Sequence, residues 1–219
     1  MNIRDALSGH LPPAALERAV AWFEGKTVRL AVTKSRVTKW GDFMPRRDHQ
    51  PPRITVNGTL NPYAFLITLI HEMAHFEVYA ARPAFTFGFA RHSKKGTPHG
   101  ASWKEAFRSL MDPYLTPDIF PADLLIPLRK HLIDPAASTF SDIILGRALA
   151  KYDNEEEGIY LELLPAGALF SIPSGKIFRK GERRRTRYLC TDTQTRRRYL
   201  FSPLSKVRLA KPVQISLQL

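Results

Sequence analysis

Apolar residues recur at helical spacing through much of the chain up to Tyr152, and from Ile159 onward they alternate. In the first part, Pro12 and Pro13 open a helix from Ala14 to Phe23 that Gly25 ends. Val28 to Thr33 alternates and is rich in β-branched residues, the pattern of a strand. Lys39-Trp40-Gly41-Asp42-Phe43 reads as a strand or a turn, and Arg53 to Asn57 as a short strand closed by Gly58. The clearest element comes next. Asn61 is a good N-cap and Pro62 suits a first helical position, so a helix is expected to run to about Ala81, ahead of Pro83. Pro83 to Pro98 reads as a loop or irregular insertion carrying Phe85, Phe87 and Phe89. Ser102-Trp103-Lys104-Glu105 has the form of a capping box and opens a helix through Met111. Pro121 to Leu132 and Ser141 to Tyr152 supply two more helices.

Asn154 to Gly158 is an acidic, solvated break. Beyond it, Ile159 to Leu164, Leu169 to Ile172, Lys176 to Arg179, Arg187 to Cys190, Arg198 to Ser202 and Val207 to Ala210 read as strands, punctuated by Gly167, Gly175 and Gly181. The expected organisation is a main domain over 1–134, a helical connector and acidic linker over 135–157, and a small all-β module over 158–219. There is no internal repeat.

Charge sharpens that division. The net charge is +13, and the stretch from Gly175 to Leu219 alone holds thirteen Lys and Arg against two acids. An asymmetry of this size argues for two units with different partners. Cys190 is the only cysteine, which excludes a disulfide scaffold and any zinc site needing two thiols, and fits a reducing, cytoplasmic compartment. Met1 to Gly25 has no apolar signal core, and Ala64 to Ile70 is far too short to span a bilayer, so neither secretion nor a membrane partner is expected.

Chemistry concentrates on the long helix, where His71-Glu72-Met73-Ala74-His75 is an H-E-x-x-H sequence. Residues four apart lie about 40° apart around a helix on adjacent turns, so both imidazoles can reach one metal. Glu72 projects about 60° beyond His75, where it can act on a water without ligating the metal. Leu69, Met73, Phe76 and Ala80 form the opposite, anchoring stripe, while Ala64, Ile67, Thr68 and Val78 flank the histidines and leave room for a cleft. A catalytic zinc site takes a third protein ligand and one open position. His99, in the turn before the second capped helix, is the candidate, and His92 in the insertion is its competitor. Glu77 lies too far round the helix to ligate, and Glu105 is assigned to the capping box. His10, His49 and His131 read as ordinary surface or core residues.

The strand Arg53 to Asn57, the Asn61-Pro62 helix start, the H-E-x-x-H sequence and His99-Gly100 followed by Trp103 and Phe107 together resemble the SprT-like family. The resemblance spans about Val28 to Met111. It implies an α+β, zincin-like metallopeptidase domain with zinc on three histidines and a glutamate base, here His71, His75, His99 and Glu72. It also implies a nucleic-acid connection, since Spartan-like members cleave proteins crosslinked to DNA. The chain departs from the family in the 23 residues between His75 and His99 and in lacking the cysteines of a C-terminal zinc ribbon, of which Tyr188-Leu189-Cys190 looks like a remnant.

The all-β module carries Arg183, Arg184, Arg185 and Arg187 and then Arg196, Arg197 and Arg198 around an expected hairpin, whose pairing would bring the two clusters together. Arginines supply phosphate contacts, and the interleaved Tyr188, Tyr199 and Phe201 either stack on bases or form a core. The expected function is therefore that of a zinc-dependent metallopeptidase acting on proteins associated with DNA, single-stranded or crosslinked, or with another nucleic acid. The strand Arg53 to Asn57 is expected to be an edge that pairs with extended substrate. The alternatives are a nucleic-acid-binding protein whose zinc site is structural or inactive, and a zinc hydrolase acting on something other than protein.

Overall fold

The computed structural model describes residues 2–33, 40–47, 49–81, 98–136, 142–153 and 158–210. His92, Phe85, Phe87 and Phe89 lie outside the described residues. The chain is mixed α+β and divides into two units, Met1–Asp153 and Asn154–Leu219. Among the described residues no helix is long and apolar enough to cross a membrane.

The first unit begins with α1 (Ile3–Leu7), a turn that the sequence pattern did not reveal because five residues are too few to show a period. A 3₁₀ turn at Pro13–Ala15 leads into α2 (Leu16–Phe23), followed by β1 (Arg29–Thr33), β2 (Gly41–Met44) and β3 (Arg53–Asn57). The three strands form one sheet in the order β1-β3-β2, with β1 parallel and β2 antiparallel to β3. The strand Arg53–Asn57, expected at an edge, is therefore the central one: four of its five residues are buried, and β2 supplies an edge instead.

Behind the sheet runs α3 (Pro62–Ala80). Asn61 starts it by accepting from the Ala64 amide at 2.9 Å, with Pro62 at the first helical position. Its Nδ2 donates to the Leu149 carbonyl at 3.0 Å and to Asp153 Oδ1 at 2.7 Å, so one side chain both caps α3 and holds down α6 (Ile143–Ala150). Every residue from Ala64 to Ile70 is buried, so Ala64, Ile67 and Thr68 line packed interior rather than a cleft, while Ala80 is exposed and does not extend the anchoring stripe. Next come α4 (Ala101–Met111), whose Trp103, Phe107 and Met111 are buried at helical spacing, and α5 (Ala122–Ile133) with Pro127 inside it. The N-cap of α4 is Gly100 and carries no side-chain cap, so Ser102 is its second residue and the expected capping box does not form. The His99-Gly100 turn puts the N-cap two residues before Ser102, so the helix is already under way where that box would act. Leu145, Ala148 and Leu149 of α6 belong to the same core, so this part of the expected connector is built into the first unit.

Among its described residues the second unit forms a six-stranded antiparallel sheet in the order β4-β9-β5-β6-β7-β8. Its strands are β4 (Ile159–Tyr160), β5 (Leu169–Ser171), β6 (Ile177–Arg184), β7 (Arg187–Asp192), β8 (Arg198–Phe201) and β9 (Lys206–Leu209). The strand expected from Ile159 to Leu164 stops after two residues and becomes a 3₁₀ turn at Leu161–Leu163, which turns Leu161 into the core. Leu164, Phe170, Phe178, Cys190 and Val207 complete that core, with Tyr188 and Phe201 packed against it. β6 bulges between Lys180 and Arg183, where Gly181 lies so close to the Leu189 carbonyl that no Cβ fits. Lys180 is buried too, its ammonium donating to the carbonyls of Glu162 and Leu164 and lying 4.1 Å from the Tyr188 ring centre.

Candidate metal centre

Three parts of the first unit build the site: α3, the start of α4 and β2. The helical repeat of α3 places His71 and His75 on adjacent turns, and the turn before α4 brings in His99. Their Nε2 atoms form a nearly equilateral triangle: 3.2 Å from His71 to His75, 3.1 Å from His75 to His99 and 3.2 Å from His99 to His71. Three ligand atoms about 2.0–2.1 Å from a tetrahedral zinc are about 3.3 Å apart, so the triangle has the dimensions of one face of that tetrahedron. Three ring nitrogens facing one another this closely cannot all be satisfied by mutual hydrogen bonds, and a cation satisfies all three. Among the described residues this is the cluster that could hold a metal.

Burial pushes the His71 ring down to about 3 and the His75 ring down to about 4, with neighbouring imidazoles adding to the effect in both and Asp42 opposing it at His75. Burial lowers His99 as well. All three are therefore neutral near pH 7, the state in which imidazole ligates. The unfolded chain takes up protons at these rings below their ordinary value of 6.5, whereas the folded, metal-free protein does not. Its stability is accordingly highest above that value and falls as the pH drops toward about 4. Buried His131, held down by desolvation and partly restored by Asp142, acts in the same direction. Melts of the metal-free protein are expected to show a falling Tm between about pH 7 and about pH 5, and a flat profile would contradict neutral, buried rings.

Compared with protein-family models, curated proteins and solved structures, the chain matches none. What the site can do is therefore argued from its own side chains. Glu72 is 6% exposed, between the two histidines and among the buried Ile70, Met73 and Ala74 of the same helix. Glu77, four residues further than Met73, is turned away and accepts from Trp22 Nε1 at 2.9 Å, and Glu105 is exposed. The floor of the site is Trp103, 1% exposed, with its ring centre 4.5 Å from that of His71, 5.4 Å from His75 and 4.6 Å from His99. Phe107 stacks beneath it at 5.1 Å.

Sequence reasoning missed β2 as part of the site. Phe43 lies with its ring parallel to His75 at 6.4 Å and packs on Phe76 and Tyr79, while Gly41 abuts Glu72. A Trp-Gly-Asp-Phe run was visible as an extended segment, but only the sheet order shows which helix it crosses.

The basic residues are placed differently from expectation. β6 and β7 are joined by a turn at Arg185-Thr186, and β7 and β8 by one over 193–197. These turns close opposite ends of β7, so Arg183, Arg184, Arg185 and Arg187 lie at one end of the sheet and Arg196, Arg197 and Arg198 at the other, roughly 17 Å away by strand rise. Pairing the strands separates the clusters. The aromatics resolve toward core: Tyr188 and Phe201 pack inward, and Tyr199, 39% exposed, contacts Phe178 edge-on at 5.5 Å.

Proposed function

We propose that the first unit is a zinc-dependent metallopeptidase of the SprT-like, zincin-like type and that the second unit recruits it to nucleic acid carrying its protein substrate. The observation that carries this reading is the Nε2 triangle of His71, His75 and His99 with buried Glu72 beside it. Zinc held by three neutral imidazoles with a fourth position open supplies Lewis acidity toward a water and toward a carbonyl oxygen. The chain's residues do the rest. Glu72 accepts a proton from the attacking water as the new C–O bond forms, and returns it to the amine as the C–N bond breaks. Trp103 and Phe107 close the site from below against bulk water. Among the described residues β2 lies at an edge of its sheet, the place where an extended polypeptide would add by main-chain pairing.

The nucleic-acid part is supported by charge and by backbone cost. Arg185 and Arg196 are the two non-glycine residues with positive φ among those described, 50° and 59°, and each sits in a hairpin turn. Glycine or asparagine takes such a position with least strain, and another residue there costs about 1–2 kcal/mol. Arginine at both tips, where glycine would cost less, supports a role for the guanidinium groups.

The test is cleavage of a DNA-bound basic protein by the zinc-loaded full chain, with and without single-stranded DNA. DNA-stimulated fragments that vanish with chelator are expected. Absence of cleavage by zinc-loaded, DNA-bound protein would leave a binding protein with an inactive or structural site, and turnover of small amides or esters alone would indicate a different hydrolase. In the same series, Arg185→Gly and Arg196→Gly are expected to hold or raise the Tm while each lowers the salt slope of DNA binding by about one, the value of one phosphate contact.

A further inference from the structure

We propose that Gly41 is a positioning residue for Glu72, so that the missing side chain on β2 sets where the Glu72 carboxylate lies. The inference rests on Glu72 being the base of the proposed reaction. A Cβ built on Gly41 would lie 2.7 Å from Glu72 Oε1, 2.9 Å from Glu72 Cγ and 2.7 Å from Thr68 Cγ2. These are its three nearest neighbours, none of them on a histidine. Contacts this short do not persist, so something gives way, and the surroundings determine what.

β2 has little freedom to retreat. Gly41 pairs with Val56, Asp42 with Thr55, Phe43 with Ile54 and Met44 with Arg53. The Asn57 amide donates to the Trp40 carbonyl at 2.8 Å on one side of Gly41, and Phe43 is wedged against His75, Phe76 and Tyr79 on the other. Thr68 is equally fixed: it is 6% exposed, and its hydroxyl donates to the Ala64 carbonyl at 2.7 Å, which locks the rotamer that presents Cγ2 to β2. The longer Glu72 side chain yields in two of the three contacts, and the remaining one, with Thr68 Cγ2, is taken up by a shift of a few tenths of an ångström in Thr68 or the strand. Adding one methyl at Gly41 therefore displaces the carboxylate while His71, His75 and His99 keep their triangle.

Two measurements on Gly41→Ala test this. With zinc loaded, kcat is expected to fall about 10- to 100-fold, as for a reacting group misplaced by about 1 Å, with KM within about threefold and zinc affinity unchanged. In the metal-free protein, thermal melts of Gly41→Ala, Glu72→Ala and the double variant are expected to show coupling, the added methyl lowering Tm less where the Glu72 side chain is gone. A kcat within about twofold of wild type, or equal Tm losses in both backgrounds, would overturn the proposal. Loss of zinc would overturn it too, by showing that the ligands moved instead. If Gly41→Ala fails to fold, Gly41→Ala with Thr68→Ser removes the fixed Cγ2 contact and leaves the Glu72 contact to be measured. If wild type itself cleaves nothing, the peptidase reading fails while the melts still decide whether Gly41 and Glu72 are coupled.

Discussion

Replacing Glu72 by glutamine is expected to lower kcat/KM for protein cleavage by about 10²- to 10⁴-fold, with zinc content unchanged. The substitution is nearly isosteric, which matters at a side chain that is 6% exposed and pressed against Gly41. An amide keeps the volume and the contact with β2 but takes no proton from water. None of the three Nε2 atoms is touched. Cleavage and zinc content measured on one preparation check the claim: zinc-replete Glu72→Gln that cleaves at the wild-type rate would remove Glu72 from the mechanism.

His99→Ala is expected to weaken zinc binding by more than about 100-fold. Changing a partner that merely orients a ligand already costs 10- to 100-fold, and here a ligand atom is lost outright. His71 and His75 remain in place on α3, so the deficit falls on affinity rather than on folding. Trp103, which packs α4 beneath the ligands, loses its edge contact with the His99 ring but keeps those with His71 and Phe107. Chelator competition reads the affinity directly. His92→Ala is the control that separates the two candidate third ligands: an unchanged His99→Ala beside a weakened His92→Ala would reverse the assignment.

Elements announced by strong local chemistry were legible in the sequence. Asn61 and Pro62 mark the start of α3, and the bounds of β3 follow from its β-branched run and Gly58. His71, Glu72 and His75 could be named from spacing, and His99 from its place before an aromatic helix. What escaped depended on contacts between distant parts of the chain. Whether Arg53–Asn57 is central or at an edge is decided by β1 and β2 on its two flanks. The role of Gly41 exists only where β2 crosses α3. Ser102 and Glu105 match a capping box letter by letter, yet the turn at Gly100 starts the helix earlier. Counting lysines and arginines from Gly175 to Leu219 measured the charge of that stretch but not its distribution, which depends on which turn closes which end of β7. The count also includes Lys180, which is buried against carbonyls and cannot reach a phosphate.

The alternation along β2 constrains chain length as well as composition. Gly41 and Phe43 face α3, and Asp42 lies between them on the other side of the pleat. Inserting or deleting a single residue inside 41–44 exchanges the two sides and presents the Asp42 carboxylate to Glu72, setting two acids against each other beside the histidines. The same change over 45–52, between the paired ends Met44 and Arg53, leaves every contact of the strand with α3 in register. Natural variants of this protein are therefore expected to differ in length within 45–52 and not within 41–44.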